Sequence, residues 1–237
     1  MGTPLLRGPG GSPLIARQLA KYAADLATLP GDLALGYRNE GIRGAWDAVA
    51  PRTLHRVFRT SRLTVFAQPL GQCPAAELPP GIRIARLRAE DIPALAPIAG
   101  QRDRERFRRL LDIGCIGIAA WRGERPVGYA WVATEMRPEV SQCRVELPSH
   151  AAYLWDLYVV PAERRNGVGS ALAVERLRVA RALGRTEGWR MIEPHNVASL
   201  RTLRRGAGST RTVGEIRYLK LGPRMFSRYV PCPPPTR

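Results

Sequence analysis

Short apolar runs recur along the middle of the chain with the spacing of β-strands. "IRIARL" (82–87) alternates apolar and polar residues with a period of two, as expected for a half-buried strand. "CIGIAAW" and "PVGYAWVATE" predict two more strands around the turn "RGER", and "AAYLWDLYVV" (151–160) predicts a longer one. "WRMIEP" and "TVGEIRYLKLG" predict the last two strands.

Helical patterns separate these strands. "AEDIPALAPIAG" and "RDRERFRRLLDIG" predict two short helices after the first strand, and a long alanine- and arginine-rich helix follows the longest strand. "NVASLRTLRR" predicts a further short helix with Asn196 as its N-cap. This order of elements predicts an α/β domain with a mixed sheet.

The residues before this domain show a weaker pattern. Apolar spacing from Pro13 to Leu26 and again over about 40–57 predicts helices, and "RLTVFAQPL" predicts a short strand. "GQCPAAELPPG" is typical of a linker. We therefore expect a basic, mainly helical N-terminal extension (1–75), the α/β domain (81–222) and an extended, proline-rich tail (223–237).

Charge and cysteine content narrow the class of protein. The net charge is +17, and residues 161–237 carry much of it, with 16 Lys and Arg against 5 Asp and Glu. Such a surface attracts nucleic acid, anionic membranes, phosphorylated cofactors or acidic proteins, although an arginine-rich surface without such a partner is an open alternative. The four cysteines lack C-x-x-C spacing, so we expect neither a metal site nor a disulfide framework. No apolar run has the ~18 residues of a membrane span, and we expect a cytoplasmic protein.

The turn "RRNGVG" lies where the longest strand meets the long helix. The first N–H groups of a helix have no intrahelical partner and attract anions. Gly167 and Gly169 let a phosphate approach the backbone, and the preceding arginines add positive charge. Leu172 stands where a dinucleotide-binding fingerprint needs glycine, and the chain has no Gly-Lys-Ser/Thr of a P-loop.

"RRNGVG" resembles the Gln/Arg-x-x-Gly-x-Gly/Ala signature of the Gcn5-related N-acetyltransferase (GNAT) superfamily, and "NVASL" resembles the start of that family's next helix. The resemblance covers about 81–222 and implies a GNAT-type mixed, splayed sheet flanked by helices. It also implies acetyl-CoA or another acyl-CoA as co-substrate, without a metal.

In that family the turn holds the CoA pyrophosphate, and the backbone of the preceding strand pairs with the pantetheine arm as an added strand would. The resemblance assigns pyrophosphate binding to Arg164, Arg165, Asn166, Gly167, Val168, Gly169 and Ser170. It assigns pantetheine binding to Leu157 and Val159, with Asn196 on the opposite side.

The candidate acid–base residues are less certain from the pattern alone. Asp156 interrupts an apolar strand, where burial of a carboxylate is costly, so it is the candidate general base. Neutralisation by an arginine is the alternative. Many relatives protonate the leaving thiolate with a tyrosine, but here that position is Leu203, which leaves Tyr218 as the second candidate acid or a core residue. A period of two places Tyr153 and Tyr158 on opposite faces of their strand.

The expected function is acyl-CoA-dependent N-acyl transfer, most simply of acetyl, to the primary amine of a small molecule or peptide. The missing tyrosine and the basic C-terminal third keep two alternatives open. One is a non-catalytic polyanion-binding or adaptor protein on a GNAT fold. The other is an acyltransferase that uses acyl carrier protein or aminoacyl-tRNA. The N-terminal helix suggests a lid, a homodimer arm or a membrane-surface helix.

Overall fold

The computed structural model describes residues 27–50, 58–71, 77–141, 143, 145–205, 210–221 and 224–232. The helix predicted over residues 13–26 lies outside this part of the chain. The helices are α1 (Leu29–Val49), α2 (Gln101–Asp112), α3 (Val168–Ala182) and α4 (Val197–Arg205). The strands are β1 (Phe58–Pro69), β2 (Ile82–Arg86), β3 (Ile116–Arg122), β4 (Arg125–Ala133), β5 (Ala151–Val159), β6 (Glu187–Ile192), β7 (Arg211–Leu221) and β8 (Arg224–Pro231).

The described strands form one mixed sheet in the order β2-β3-β4-β5-β6-β1-β7-β8. β5 and β6 run parallel and the other neighbours run antiparallel. This α/β architecture confirms the predicted fold class. The expected first helix after β2 is replaced by the 3-10 turns Ala89–Asp91 and Pro93–Leu95, because Pro93 and Pro97 interrupt helical hydrogen bonding.

Two helices cover opposite faces of the sheet. On one face, the ring of Phe107 from α2 packs on Tyr129 and Trp131 of β4, with centroids 4.9 and 5.2 Å apart. On the other, α3 approaches glycines: a Cβ on Gly128 would lie 3.1 Å from Leu172, and one on Gly188 would lie 3.5 Å from Leu177. We call these the α2 face and the α3 face.

Two segments that we expected outside the α/β domain extend its sheet. β1 comes from the predicted extension and inserts between β6 and β7, with Thr64 opposite Ile192 and Leu63 opposite Ile216. β8 comes from the predicted tail and pairs along β7. The Pro/Gly-rich linker separates β1 from β2 in the sequence, yet both strands belong to the same sheet.

The parallel pair β5–β6 opens after a short contact. Among the described residues of the two strands, only Ala151–Tyr153 pairs with Glu187–Trp189. β5 stays paired with β4, where Trp155 lies opposite Trp131 and Tyr158 opposite Tyr129, so one residue of β4 faces two residues of β5. We call residues 154–159, on the side towards β6, the open edge of β5.

This extra residue is a β-bulge at Asp156, whose φ of 49° lies in the left-handed region. The bulge shifts the alternation by one, so Tyr158 lies on the same face as Tyr153 and Trp155. The expectation that Tyr153 and Tyr158 face opposite sides was wrong, because a period of two holds only for an unbroken strand.

Helix α1 bends sharply at Gly41, whose φ is 62°. The two halves cross so closely that a Cβ on Gly36 would lie 2.3 Å from the carbonyl oxygen of Gly44. The bend brings Asn39 to the Pro97 carbonyl (3.3 Å) and the Glu40 carboxylate to Arg164. The N-terminal helix thus contacts both the segment before α2 and the turn before α3.

Candidate active site

The bulge presents Asp156 on the α2 face. Nη1 of Arg106, on α2, donates a hydrogen bond to Oδ2 of Asp156 at 3.0 Å, and the aspartate side chain is 27% exposed. The ion pair with an arginine, which we considered as the alternative to a base role for Asp156, is therefore present. The partial exposure leaves the carboxylate accessible to a small polar group from solvent.

A second carboxylate on the α2 face was not found from the sequence. Burial raises the pKa of Asp103, the charge of Asp156 raises it further, and Arg106 partly opposes both. Asp103 does not stand out in the sequence because it belongs to a helix with charged residues on most sides. With Asp32 and Arg102, which also act on Asp103, three carboxylates and two guanidinium groups meet here, so the site favours a cation.

Aromatic rings form a wall beside these carboxylates. Tyr158 stacks on Tyr129 with centroids 5.5 Å apart, and Trp155 stacks on Tyr153 at 5.3 Å with planes 6° apart. Burial raises the pKa of both Tyr129 and Tyr153, so these phenols remain protonated at neutral pH. The wall is an apolar surface against which an amine's carbon skeleton can pack.

Two arginine side chains bond to backbone carbonyls of β5 in the stretch that no longer pairs with β6. Nη1 of Arg176, on α3, donates to the carbonyl of Trp155 at 3.2 Å, and Nε of Arg164 donates to that of Val159 at 3.0 Å. Val160 N–H bonds to Val127 on β4 (3.0 Å), so the polar groups of the neighbouring Val159 point away from β4 and towards the opening. Of the predicted pantetheine-binding groups, the Val159 carbonyl is thus already bonded.

The turn before α3 has the backbone expected of an anion site. Gly167 is the N-cap of α3, with a φ of 82°, and has no side chain with which to bond the first-turn N–H groups. Arg165 also has a left-handed φ, 67°. A Cβ at Gly167 would lie 3.1 Å from Pro79, so this position is restricted by both conformation and space.

An ion pair holds this turn against β3. Nε and Nη2 of Arg122 donate to the two carboxylate oxygens of Glu163 at 2.8 and 2.7 Å. These hydrogen bonds lower the pKa of Glu163, and the Asn166 side chain adds a smaller effect in the same direction. Asn166, a predicted pyrophosphate contact, therefore also supports the turn.

Arg164 makes more contacts within the protein than its position in the motif indicated. Besides Val159, its guanidinium contacts the Glu40 carboxylate and lies 5.9 Å from the centre of the Tyr158 ring. Glu40 was missed in the sequence because its helical surroundings give no signal of a contact 124 residues away.

On the far side of the opening, Asn196 accepts a hydrogen bond from Ser199 N–H at 3.1 Å, which confirms it as the N-cap of α4. Leu203, where relatives carry a tyrosine, is buried. The carboxylate of Glu193 binds three groups at the end of β6. They are the Ser61 hydroxyl (3.0 Å), the Tyr218 hydroxyl (3.4 Å) and His195 Nε2 (2.9 Å).

The structure does not bring Tyr218 and Asp156 together. Tyr218 lies on β7, and β1 and β6 stand between it and β5. Three strand spacings of about 4.8 Å separate the two strands before the opening is added. Tyr218 is buried against Glu193 instead.

Among the residues that the structure describes, no group of three or more His, Cys, Asp or Glu side chains is placed to hold a metal ion. In the same part of the chain, none of the helices has both the length and the apolar character needed to span a bilayer.

Comparison with known proteins defines the family. The sequence model of the acetyltransferase (GNAT) family matches residues 83–208, more than half of the chain. The chain belongs to the GNAT acetyltransferase family, as its turn and element order indicated. No curated protein sequence matches it.

Solved structures match the chain at low sequence identity. A protein from Drosophila is 17% identical with a TM-score of 0.52, and the match covers 77% of this chain and 67% of that one. A structure from Novosphingobium aromaticivorans, assigned to the GNAT family, is 16% identical with a TM-score of 0.46 and coverages of 68% and 65%. Aminoglycoside N-acetyltransferase AAC(6')-Iy in complex with CoA is 17% identical with a TM-score of 0.43 and coverages of 54% and 93%.

Proposed function

We propose that the protein transfers an acyl group from acyl-CoA to the primary amine of a small-molecule or peptidyl acceptor, with acetyl-CoA as the simplest donor. The observation that carries this proposal is the juxtaposition of two features. The open edge of β5 ends at the glycine turn that begins α3, so one strand leads from the bulge at Asp156 to an anion site at Gly167.

The donor would lie along this edge. Its pyrophosphate would bind the first-turn N–H groups of α3, the glycines of the turn and Arg165, while the pantetheine arm would run towards the bulge past Leu157 and Val159. Arg164 would support the turn through Val159 and Glu40 as well as add positive charge. Asn196 would border the arm from α4.

The acceptor would approach from the α2 face. Asp103 and Asp156 attract an ammonium group, and Asp156 would take the proton that makes the amine nucleophilic. The amine nitrogen then attacks the thioester carbonyl carbon, and the C–S bond breaks as the C–N bond is completed. Backbone N–H groups at the bulge are candidates for stabilising the oxyanion.

The thiolate needs a proton that Leu203 cannot supply. His195 is the candidate we favour over Tyr218, because its imidazole lies 2.9 Å from Glu193 at the end of β6. Extended beyond its paired residues, the parallel register would bring Glu193 near Leu157 and Tyr158 across the opening. Tyr218 would contribute through its hydrogen bond to Glu193.

Calorimetric titration with acetyl-CoA tests the donor site. We expect micromolar binding by the wild type and none by Gly167→Asp, which adds a negative charge at the pyrophosphate position. Gly184→Asp is the matched control, because Gly184 also has a left-handed φ (73°) but lies at the other end of α3 with nothing within 4 Å of its Cβ position. Absence of wild-type binding, or equal binding by Gly167→Asp, would contradict the proposal.

A further inference from the structure

Two arginines are buried between α3 and the sheet. Arg176 and Arg190 are only 4% and 5% exposed. Neither forms an ion pair with a carboxylate anywhere in the described part of the chain. Burial of an unpaired charge is costly, so two such residues in one protein layer require an explanation.

Both side chains lie on the α3 face. Arg176 belongs to α3 itself and bonds to the Trp155 carbonyl. Arg190 is two residues beyond Gly188, whose Cβ position faces Leu177 of α3, and alternate residues of a strand share a face. Burial lowers the pKa of Arg176, the neighbouring charge of Arg190 lowers it further, and the charge of Asp156 partly opposes this.

The protein uses only part of the hydrogen-bonding capacity of the pair in the described part of the chain. Arg190 donates through Nη2 to Gln68 at 3.2 Å, and Arg176 donates through Nη1. The Nε atoms of both residues are buried and have no partner among the described residues. Burial lowers the pKa of Arg190 to about 10 and is the main cause of the lowered pKa of Arg176. The site therefore offers positive charge and two buried Nε–H donors that have no acceptor among the described residues.

This pair lies next to the proposed reaction centre. The Trp155 carbonyl, 3.2 Å from Arg176, belongs to the same peptide group as the Asp156 N–H in the bulge. Arg176 Nη1 therefore lies within about 6 Å of that N–H. In a four-carbon dicarboxylic acyl group, the carboxylate carbon lies about 4 Å from the thioester carbonyl carbon, so a thioester held at the bulge could extend its carboxylate towards this pair.

We propose that Arg176 and Arg190 form a subsite for the free carboxylate of a dicarboxylic acyl group such as succinyl, so that the enzyme prefers an acidic acyl-CoA to a neutral one. The inference rests on the proposed function, since it extends the same donor site. In the transfer, the amine loses a proton to Asp156, a C–N bond replaces the C–S bond and the thiolate takes up a proton. The free carboxylate stays ionised and unchanged.

The test compares donors that differ at the chain end. Wild-type protein is titrated calorimetrically with CoA, acetyl-CoA, butyryl-CoA and succinyl-CoA; butyryl has the length of succinyl with a methyl group in place of the carboxylate. Because charge-assisted hydrogen bonds to buried arginine are strong, we expect succinyl-CoA to bind at least about tenfold more tightly than butyryl-CoA.

Variants assign the preference to the two residues. Arg190→Met and Arg176→Met should bring the affinities for succinyl-CoA and butyryl-CoA within about twofold of each other. Arg178→Met, on the same helix but 48% exposed beside Glu175, should keep the wild-type preference.

The outcomes separate the two proposals. Equal wild-type affinity for succinyl-CoA and butyryl-CoA overturns the carboxylate subsite while CoA binding still supports the donor site. Failure of CoA and every acyl-CoA to bind overturns both. If the methionine variants do not fold, the wild-type comparison alone decides the matter.

Discussion

The two faces of the sheet around β5 carry opposite chemistry. The α2 face presents Asp103, Asp156 and an aromatic wall, whereas the α3 face presents the buried Arg176 and Arg190. One face suits a cationic amine with an apolar skeleton, and the other suits an anionic donor. In the proposed function, donor and acceptor would therefore approach from opposite sides and meet where the strand is interrupted.

The bulge makes this arrangement physically possible. A regular β5 would stay paired with both neighbours and separate the faces completely. The extra residue at Asp156 turns its carboxylate towards Arg106, and the loss of pairing with β6 lets Arg176 and Arg164 reach the backbone of the same strand. The left-handed backbone of Asp156 is a local cost that the paired flanks of β5 must offset.

The largest stability effect is expected where α3 approaches the sheet. In Gly128→Ala, the new Cβ would lie 2.6 Å from the Tyr158 carbonyl oxygen and 3.1 Å from Leu172, so overpacking should cost about 3 kcal/mol. Gly169→Ala is the control, because its Cβ would make only an ordinary 3.7 Å contact with Val159. Equal urea midpoints for the two variants would show that the α3 face is packed less tightly than described.

A smaller loss of stability is expected when the ion pair that holds the turn before α3 is removed. Glu163→Gln removes the charged hydrogen bonds from Arg122 and should cost about 2 kcal/mol at pH 7. Because the folded state holds the pKa of Glu163 below its usual 4.5, this contribution is present above that pH and is lost as the pH falls through the lowered value. Urea unfolding at pH 7 and at about pH 3.5 should show the difference shrink. A difference that stayed constant would contradict the role of the charge.

The effect of Asp103 on stability should depend on pH in the opposite direction to that of Glu163. Burial and Asp156 raise the pKa of Asp103 above 3.8, so its ionisation at neutral pH destabilises the fold. Asp103→Asn should therefore raise the free energy of unfolding by about 1 kcal/mol at pH 7. The gain should disappear below the usual pKa of the carboxyl, because the wild-type group is then protonated in both states. Destabilisation at pH 7 would show that Asp103 is needed as an ion-pair partner.

Local signals carried much of the site prediction. The glycine turn, the N-cap Asn196 and the polar residue within an apolar strand are readable within a few residues, and all three lie around the opening between β5 and β6. The alternating strands between 82 and 221 gave the fold class for the same reason, since burial repeats with the period of each element.

Long-range pairing explains what could not be predicted. The place of β1 between β6 and β7 depends on partners more than 100 residues away. The residues of "RLTVFAQPL" do not by themselves identify those partners. The bulge exists only relative to β4, so alternation placed Tyr158 on the wrong face. Glu40 and Arg176 each read as ordinary helical residues until the fold brings them to the open edge.

The most direct test of the two-face account is to measure kcat and acetyl-CoA affinity together in Asp156→Asn, with the amine that the wild type acetylates fastest. Loss of the base should lower kcat about 10²–10⁴-fold, while acetyl-CoA affinity stays within about twofold because the donor lies on the other face. Asp112→Asn, at the exposed end of α2, should match the wild type in both. Unchanged kcat in Asp156→Asn, or a parallel loss of acetyl-CoA binding, would contradict the account.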